Sequence, residues 1–222
     1  MFFECRCAVC DSAPGPVCDA CAAGLAPGPR NDVVRAAFVL DDAARAIVVA
    51  LKYRRERRLA RWVASTLAPL VPALVDTVTW VPATPERVKW RGYDQSGEIA
   101  GELARLLGVP AQRLLTRQRG DHRQTSRNRL ERAAGPQLGI CRPADGLVVV
   151  VDDVVTTGAT IAKAQAVLSR SGANRAIPVV FAATPRWDQG PMHAAEHSST
   201  IRSWKSKSAP SAPKSLLVSR NM

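Results

Sequence analysis

The chain has 222 residues, 46% of them hydrophobic, and a net charge of +12, which suits one mid-sized α/β domain with appendages. No apolar run approaches the ~18–20 residues a membrane span needs. The opening MFFECRC has too few apolar residues before its first charge for a secretory signal, so no export is expected and the expected compartment is the cytoplasm.

Residues 1–30 differ from the rest: they hold five of the six cysteines and four prolines. Such a segment cannot build its own core and needs a staple. In a reducing compartment that staple is a metal rather than a disulfide. Cys7-x2-Cys10 and Cys18-x2-Cys21 are two knuckles separated by seven residues, a spacing that suits one structural Zn²⁺ held by four thiolates. Cys5 offers an alternate ligand, and Cys141 stands alone as an ordinary core or loop thiol.

Residues 31–184 alternate between strand and helix patterns. The apolar run Val33–Leu40 reads as a strand, and Asp41 and Asp42 offer a cap for a helix through Ala43–Tyr53. Leu59–Leu70 has helical spacing, and the β-branched Asp76–Val81 reads as a strand. A loop carrying Arg87, Lys89 and Arg91 then leads into a helix over Asp94–Leu107, ended by Gly108. Val148–Val151 fits a fully buried parallel strand. A helix over Ala159–Ser169, stopped by Gly172, and a strand over Ala176–Ala183 complete the pattern. The alternation predicts an α/β fold: a central parallel sheet with helices on both faces. From about Pro185 to residue 222, Ser, Lys, Pro and Ala dominate, as in a disordered low-complexity tail. His193 and His197 lie in that tail without partner cysteines and read as incidental.

The densest chemistry lies in VVVVDDVVTTGAT, residues 148–160. A buried strand delivers Asp152 and Asp153 to the carboxyl end of the sheet, where ligands of such folds sit. Thr156, Thr157, Gly158, Ala159 and Thr160 follow. Small residues let the backbone approach a phosphate, and the next helix offers unpaired N–H groups and a positive dipole end. Carboxylates accept hydrogen bonds, so the two acids suit sugar hydroxyls rather than phosphate. No GxxxxGK[ST] occurs, which excludes a Walker loop. Upstream, the basic Arg87, Lys89 and Arg91 are placed to meet a pyrophosphate, Arg being favoured by its planar fork.

The segment 148–160 resembles the signature of type I phosphoribosyltransferases that binds phosphoribosyl pyrophosphate (PRPP). The resemblance implies that Asp152 and Asp153 contact the ribose hydroxyls and that residues 156–160 wrap the 5-phosphate. A narrower likeness is to the ComF family of competence-associated phosphoribosyltransferases, carried by Pro82, Arg87 and Arg91-Gly92-Tyr93-Asp94-Gln95. Leu51-Lys52-Tyr53, the stretch Thr125–Arg132 and the N-terminal cysteines add to it, and Asp94 stands where Asn is commoner. It implies a type I phosphoribosyltransferase fold over residues 31–184 with a small four-cysteine zinc module over residues 1–30. Asp152, Asp153 and Arg91 would be the catalytic residues, with Mg²⁺ accompanying PRPP and the acceptor unknown. The polar stretch Thr116–Ala133, with the lone His122, sits where such enzymes carry a loop that closes over the substrate.

Positive charge concentrates in three places, Lys52–Arg61, Arg113–Arg132 and the tail from Arg186, each adding +4 or +5. Such clusters point to polyanions. Together with the likeness to the competence-associated ComF family, they support a second expectation: a protein of the same fold without transferase activity that acts in DNA uptake through single-stranded DNA or protein partners of the competence machinery.

Overall fold

A computed structural model describes residues 6–12, 15–53, 57–117 and 137–185. The expectations for the tail, for His122, His193 and His197, for Cys5 and for nearly all of the Thr116–Ala133 stretch lie outside these residues. No described helix is long and apolar enough to cross a membrane.

After a short helix α1 (Asp19–Ala23), strand β1 spans Arg35–Val39 and helix α2 Asp42–Tyr53. The side chain of Asp41 accepts from the Ala44 N–H at 2.8 Å, which caps α2. Ala44, Ile47, Val48 and Leu51 form its buried stripe at the i, i+3, i+4, i+7 spacing of one helix face. Asp41→Ala is expected to cost about 1 kcal/mol, read as a small drop in denaturant midpoint at constant slope.

Helix α3 spans Arg57–Leu67 and runs into a 3-10 turn at Ala68–Leu70; β2 spans Thr77–Trp80. Helices α4 (Pro85–Arg91) and α5 (Gln95–Leu107) follow, then strands β3 (Leu115–Arg117), β4 (Leu138–Ile140) and β5 (Leu147–Val155). Helix α6 (Ala159–Arg170) and strand β6 (Arg175–Ala183) end the described chain.

The central sheet has the order β1-β6-β5-β2 with every pair parallel. Successive residues of β5 serve opposite faces, as a strand's period of two requires. Val149 and Val151 pack with Ile177, Val179 and Phe181 against α2, α3 and α5. Val148 and Val150 pack with Val180 against Ile161, Ala164 and Leu168 of α6. This is the expected parallel sheet with helices on both faces.

Three elements depart from expectation. The segment bearing Arg87, Lys89 and Arg91 is a helix, not a loop. Thr84 caps it by accepting from the Arg87 N–H at 3.3 Å, Pro85 starts it, and Gly92 ends it at φ +81°. Strand β5 does not stop at Val151 but carries both acids and ends at Val155. Its β6 neighbour pairs with it as far as Ala183, so the ladder continues on that side. Finally, Thr116 and Arg117 belong to β3, antiparallel to β4, rather than to an irregular stretch.

The N-terminal residues join the same hydrophobic cluster as α2, through Cys7, Val17 and Leu25. An antiparallel bridge from Pro27 to Phe38 ties this segment to β1. A Cβ on the neighbouring Gly28 would lie 2.6 Å from the Phe38 carbonyl oxygen, so only glycine allows that approach.

Candidate functional site

The cavity beside Asp152 and Asp153 exists because two adjacent strands end at different places. Trp80 of β2 is in register with Val151, and the Val81 N–H donates to the Val151 carbonyl at 2.9 Å. Pro82 has no N–H to extend the ladder, and the chain turns away toward α4. Among the described residues, no strand pairs with residues 152–155 of β5 on that side. The gap is a cavity of about 160 Å³ lined by Lys52, Pro82, Ala83, Arg87, Gln95, Ser96, Arg117, Asp152, Asp153 and Thr160, among others.

Each acid is held from a different side. Asp153 follows Val149 and Val151 onto the face of α2 and α5. There its Oδ2 meets Lys52 Nζ at 2.8 Å and accepts from Gln95 Nε2 at 3.3 Å. Asp152 Oδ1 accepts from Ser96 Oγ at 3.3 Å and from the Asp153 N–H at 2.9 Å. Burial, and then the charge of Asp153, push the Asp152 carboxyl up to about 8, against the pull of the Asp153 N–H, Lys52 and Ser96. One acid is thus paired with a cation and its neighbour favours keeping a proton.

Cations form the other wall. Arg117 donates to the Pro82 carbonyl at 3.1 Å. Burial, and then the charge of Arg87, hold its guanidinium below its usual range, while Asp152 and Asp94 act the other way. Arg91 donates to Gln95 Oε1 at 2.9 Å, and its guanidinium lies 5.7 Å from the Tyr53 ring centroid. Tyr53 packs edge to face with Trp90, ring centroids 5.5 Å apart. Arg91 therefore reaches the acids through Gln95. Lys89 is exposed and absent from the cavity lining; two positions along the helix put it about 200° around α4 from Arg87.

Beyond β5, Thr156 and Thr157 are exposed and lead to Gly158, which caps α6 at φ +73°. Thr157 Oγ1 accepts from the Ala159 N–H at 3.5 Å. Ala159 opens α6, and Thr160 in its first turn lines the cavity. Asp94 fixes the approach to α5: its carboxylate accepts from Trp80 Nε1 at 3.2 Å, from the Ala83 N–H at 3.0 Å and from the Gly97 N–H at 3.4 Å. All three partners are donors, which an acceptor-only carboxylate serves better than an amide.

The sequence had not singled out Lys52, Ser96 or Arg117 for this cavity. Lys52 continues the stripe of Ala44 and Val48 by one more helical step of four. Gln95 and Ser96 are polar residues in the first turn of a helix whose inward face is apolar, and both are buried. A polar group on an apolar stripe was the signal for Lys52 and Ser96; Arg117, in the short strand β3, carried none.

A second constellation lies at the N-terminus. The sulfurs of Cys7, Cys10, Cys18 and Cys21 all lie within 4.8 Å of one another, and those of Cys10 and Cys18 are 3.7 Å apart. A tetrahedral Zn²⁺ with Zn–S bonds of about 2.3 Å would set sulfur–sulfur edges of about 3.8 Å. The N–H groups of Val9 and Cys18 each donate to Cys7 Sγ at 3.4 Å. Burial opposes ionisation of Cys7, but backbone donors outweigh it and bring the thiol to about 6. Cys21 is pushed up to about 12, first by Cys18 and then by Cys10. Four sulfurs at these distances could hold a metal ion as thiolates, and the donor set fits zinc. Cys141 is exposed, its thiol 3.4 Å from the Arg113 carbonyl.

No protein-family model matches the sequence, and no curated protein matches it. Among solved structures, the chain is similar to glutamine PRPP amidotransferase from B. subtilis complexed with ADP and GMP, at 22% identity and a TM-score of 0.44. That match covers 60% of this chain and 30% of the other. A structure described as the allosteric regulatory enzyme of purine biosynthesis gives 20% identity, a TM-score of 0.44 and coverage of 60% and 29%. The chain thus spans about 30% of the length of these two proteins. Orotate phosphoribosyltransferase from Aeropyrum pernix gives 24% identity, a TM-score of 0.35 and coverage of 67% and 68%.

Proposed function

We propose that the cavity binds PRPP and that the protein is a phosphoribosyltransferase of the type I fold, similar to the ComF family, acting on an acceptor yet to be identified. One observation carries the reading. Two adjacent carboxylates stand at the open end of β5, followed at once by a small hydroxyl-bearing turn with a left-handed glycine at the start of α6. Asp152 and Asp153 would accept hydrogen bonds from the ribose hydroxyls. Thr156, Thr157 and Thr160, with the N–H groups around Gly158 and Ala159, would receive the 5-phosphate. Arg87 faces the cavity directly, and Arg91 stands behind Gln95; positive charge there would stabilise a departing pyrophosphate. Lys89, two positions on from Arg87, is not among the residues lining the cavity.

Mg²⁺ would arrive with PRPP, held mainly by ligand oxygens, since this ion keeps waters and takes few carboxylates. It would supply charge neutralisation at the leaving group. Zn²⁺ on Cys7, Cys10, Cys18 and Cys21 would be structural, as four thiolates leave no open position. Reduced thiols at a metal centre fit a reducing compartment, so the reading places the protein in the cytoplasm.

Calorimetry with Mg²⁺ and PRPP tests the binding step. Wild type is expected to bind, and Asp152→Asn/Asp153→Asn to lose about 100-fold or more, at roughly 1.5–3 kcal/mol for each charge-assisted bond. Because Asp152 retains a proton into neutral pH, hydroxyl donation to its ionised form displaces that proton. Affinity should therefore rise from about pH 6 to about pH 9. Equal affinity in wild type and the double variant would refute the assignment. Pyrophosphate release across a panel of bases and amines tests the transfer.

A further inference from the structure

We propose that Lys52 is itself a ligand-binding residue: its ammonium is parked on Asp153 in the free protein and turns to the diphosphate group of the bound ligand. This rests on the reading of the cavity as a PRPP site and adds a residue from a different element, the last turn of α2.

The geometry gives the reasons. Lys52 Nζ lies 2.8 Å from Asp153 Oδ2, with side-chain exposures of 24% and 10%. Gln95 Nε2 donates to the same oxygen at 3.3 Å, so Oδ2 already has two donors. A ligand hydroxyl that donates to this oxygen must displace one of them. Gln95 is tied at its other end by Arg91, which leaves Lys52 as the donor free to go. An ammonium on a four-carbon stem carries three donors and can re-aim. A buried pair opens at acceptable cost only when the cation finds a new anion. The cavity that Lys52 lines supplies the place for one: Arg87, Arg117 and Thr160 line it too. The charged groups around Lys52 are then Asp152 and Asp153 from β5, Arg87 from α4 and Arg117 from β3, with Gln95 and Ser96 of α5 as neutral neighbours. Three cations meet two acids in one cavity, one acid inclined to stay protonated, and a diphosphate balances that excess.

Inorganic pyrophosphate with Mg²⁺ is the probe, titrated calorimetrically into the full chain. The proteins are wild type, Lys52→Met, Asp153→Asn and the double variant, each checked by thermal unfolding. Asp153→Asn frees the ammonium and is expected to bind pyrophosphate about three- to tenfold more tightly. Lys52→Met should weaken it about tenfold or more, a charge-assisted hydrogen bond being lost. Lys52→Met leaves a buried carboxylate unpaired and will lower stability. The double variant leaves neither charge unpaired, so it should regain stability and still bind pyrophosphate as weakly as Lys52→Met. Wild-type affinity in the double variant, equal weakening by Asp153→Asn, or no pyrophosphate binding by wild type would each overturn the proposal. PRPP titrated in parallel separates the two claims. PRPP binding with pyrophosphate affinity indifferent to Lys52 removes this inference and leaves the site reading standing. Lys52-dependent pyrophosphate binding without PRPP binding does the reverse.

Discussion

Replacing Cys7 by serine is expected to strip the metal from the N-terminal segment and to lower the unfolding temperature by more than about 10 °C. Cys7 is fully buried, its sulfur receives the N–H groups of Val9 and Cys18, and it belongs to the same hydrophobic cluster as Ala37 and Val48. A serine hydroxyl is a poor zinc ligand at neutral pH and leaves three thiolates to hold the ion. Structural zinc sites in finger peptides contribute about 10–16 kcal/mol of folding free energy. Even a third of that rivals the ~5–15 kcal/mol by which a domain is stable at all. Val17 and Leu25 share the cluster of α2's buried residues, so loss of a metal cross-link there would expose part of the main core. Cys141→Ser is the control, because that thiol is exposed and outside the cluster. Metal analysis should give about one zinc per chain in wild type and the control, by the four-thiolate count, and almost none in Cys7→Ser. Unchanged stability in Cys7→Ser, or an iron–sulfur absorption band in wild type, would contradict the assignment.

Gly158→Val is expected to abolish measurable PRPP binding, a loss of at least about 100-fold, while lowering stability only modestly. Gly158 sits at φ +73°, where a β-branched residue is a true outlier costing about 1–3 kcal/mol. The chain relieves that strain most easily by rotating the exposed turn at Thr156 and Thr157. Such a rotation re-aims the N–H groups at the start of α6, which are the proposed phosphate donors. The sheet itself need not move. Gly101→Ala is the matched control: nothing lies within 4 Å of its would-be Cβ, so it should gain about 0.5–1 kcal/mol and bind PRPP as wild type does. Binding by Gly158→Val at wild-type strength would remove the loop from the phosphate site.

The regular elements were legible because burial wrote them plainly. The stripe of Ala44, Ile47, Val48 and Leu51 has the spacing of a helix, and Val148–Val151 fits a strand buried on both faces. The paired CxxC spacing likewise located the four sulfurs. The features that escaped depend on what happens between elements. Helix α4 carries Thr84, Pro85 and Gly92 as start and stop signals, but its seven residues offer no buried position to give it a period. The extension of β5 through the acids follows from the length of β6, a partner that local sequence does not reveal. The cavity comes from a difference in length between β2 and β5, which no single segment encodes. Lys52 and Asp153 lie in different elements, and only the packing of α2 on the sheet brings them together.

Asp94 has a consequence for how such a protein can change over evolutionary time. Its one carboxylate receives the Ala83 N–H, at the point where the chain departs toward α4, and the Gly97 N–H, just after it returns. Residues 84–93 are therefore an excursion whose two ends are stapled to the same atom group. The free-energy cost of closing such an excursion grows only slowly with its length. Changes in length between Pro85 and Lys89 would leave the register of β2 and the Asp94 cap of α5 in place, provided Arg91 keeps its bond to Gln95. The segment that presents Arg87 to the cavity is thus held at both ends by one side chain, and changes within it would alter the charge facing the cavity while the strand that carries the acids stays in place.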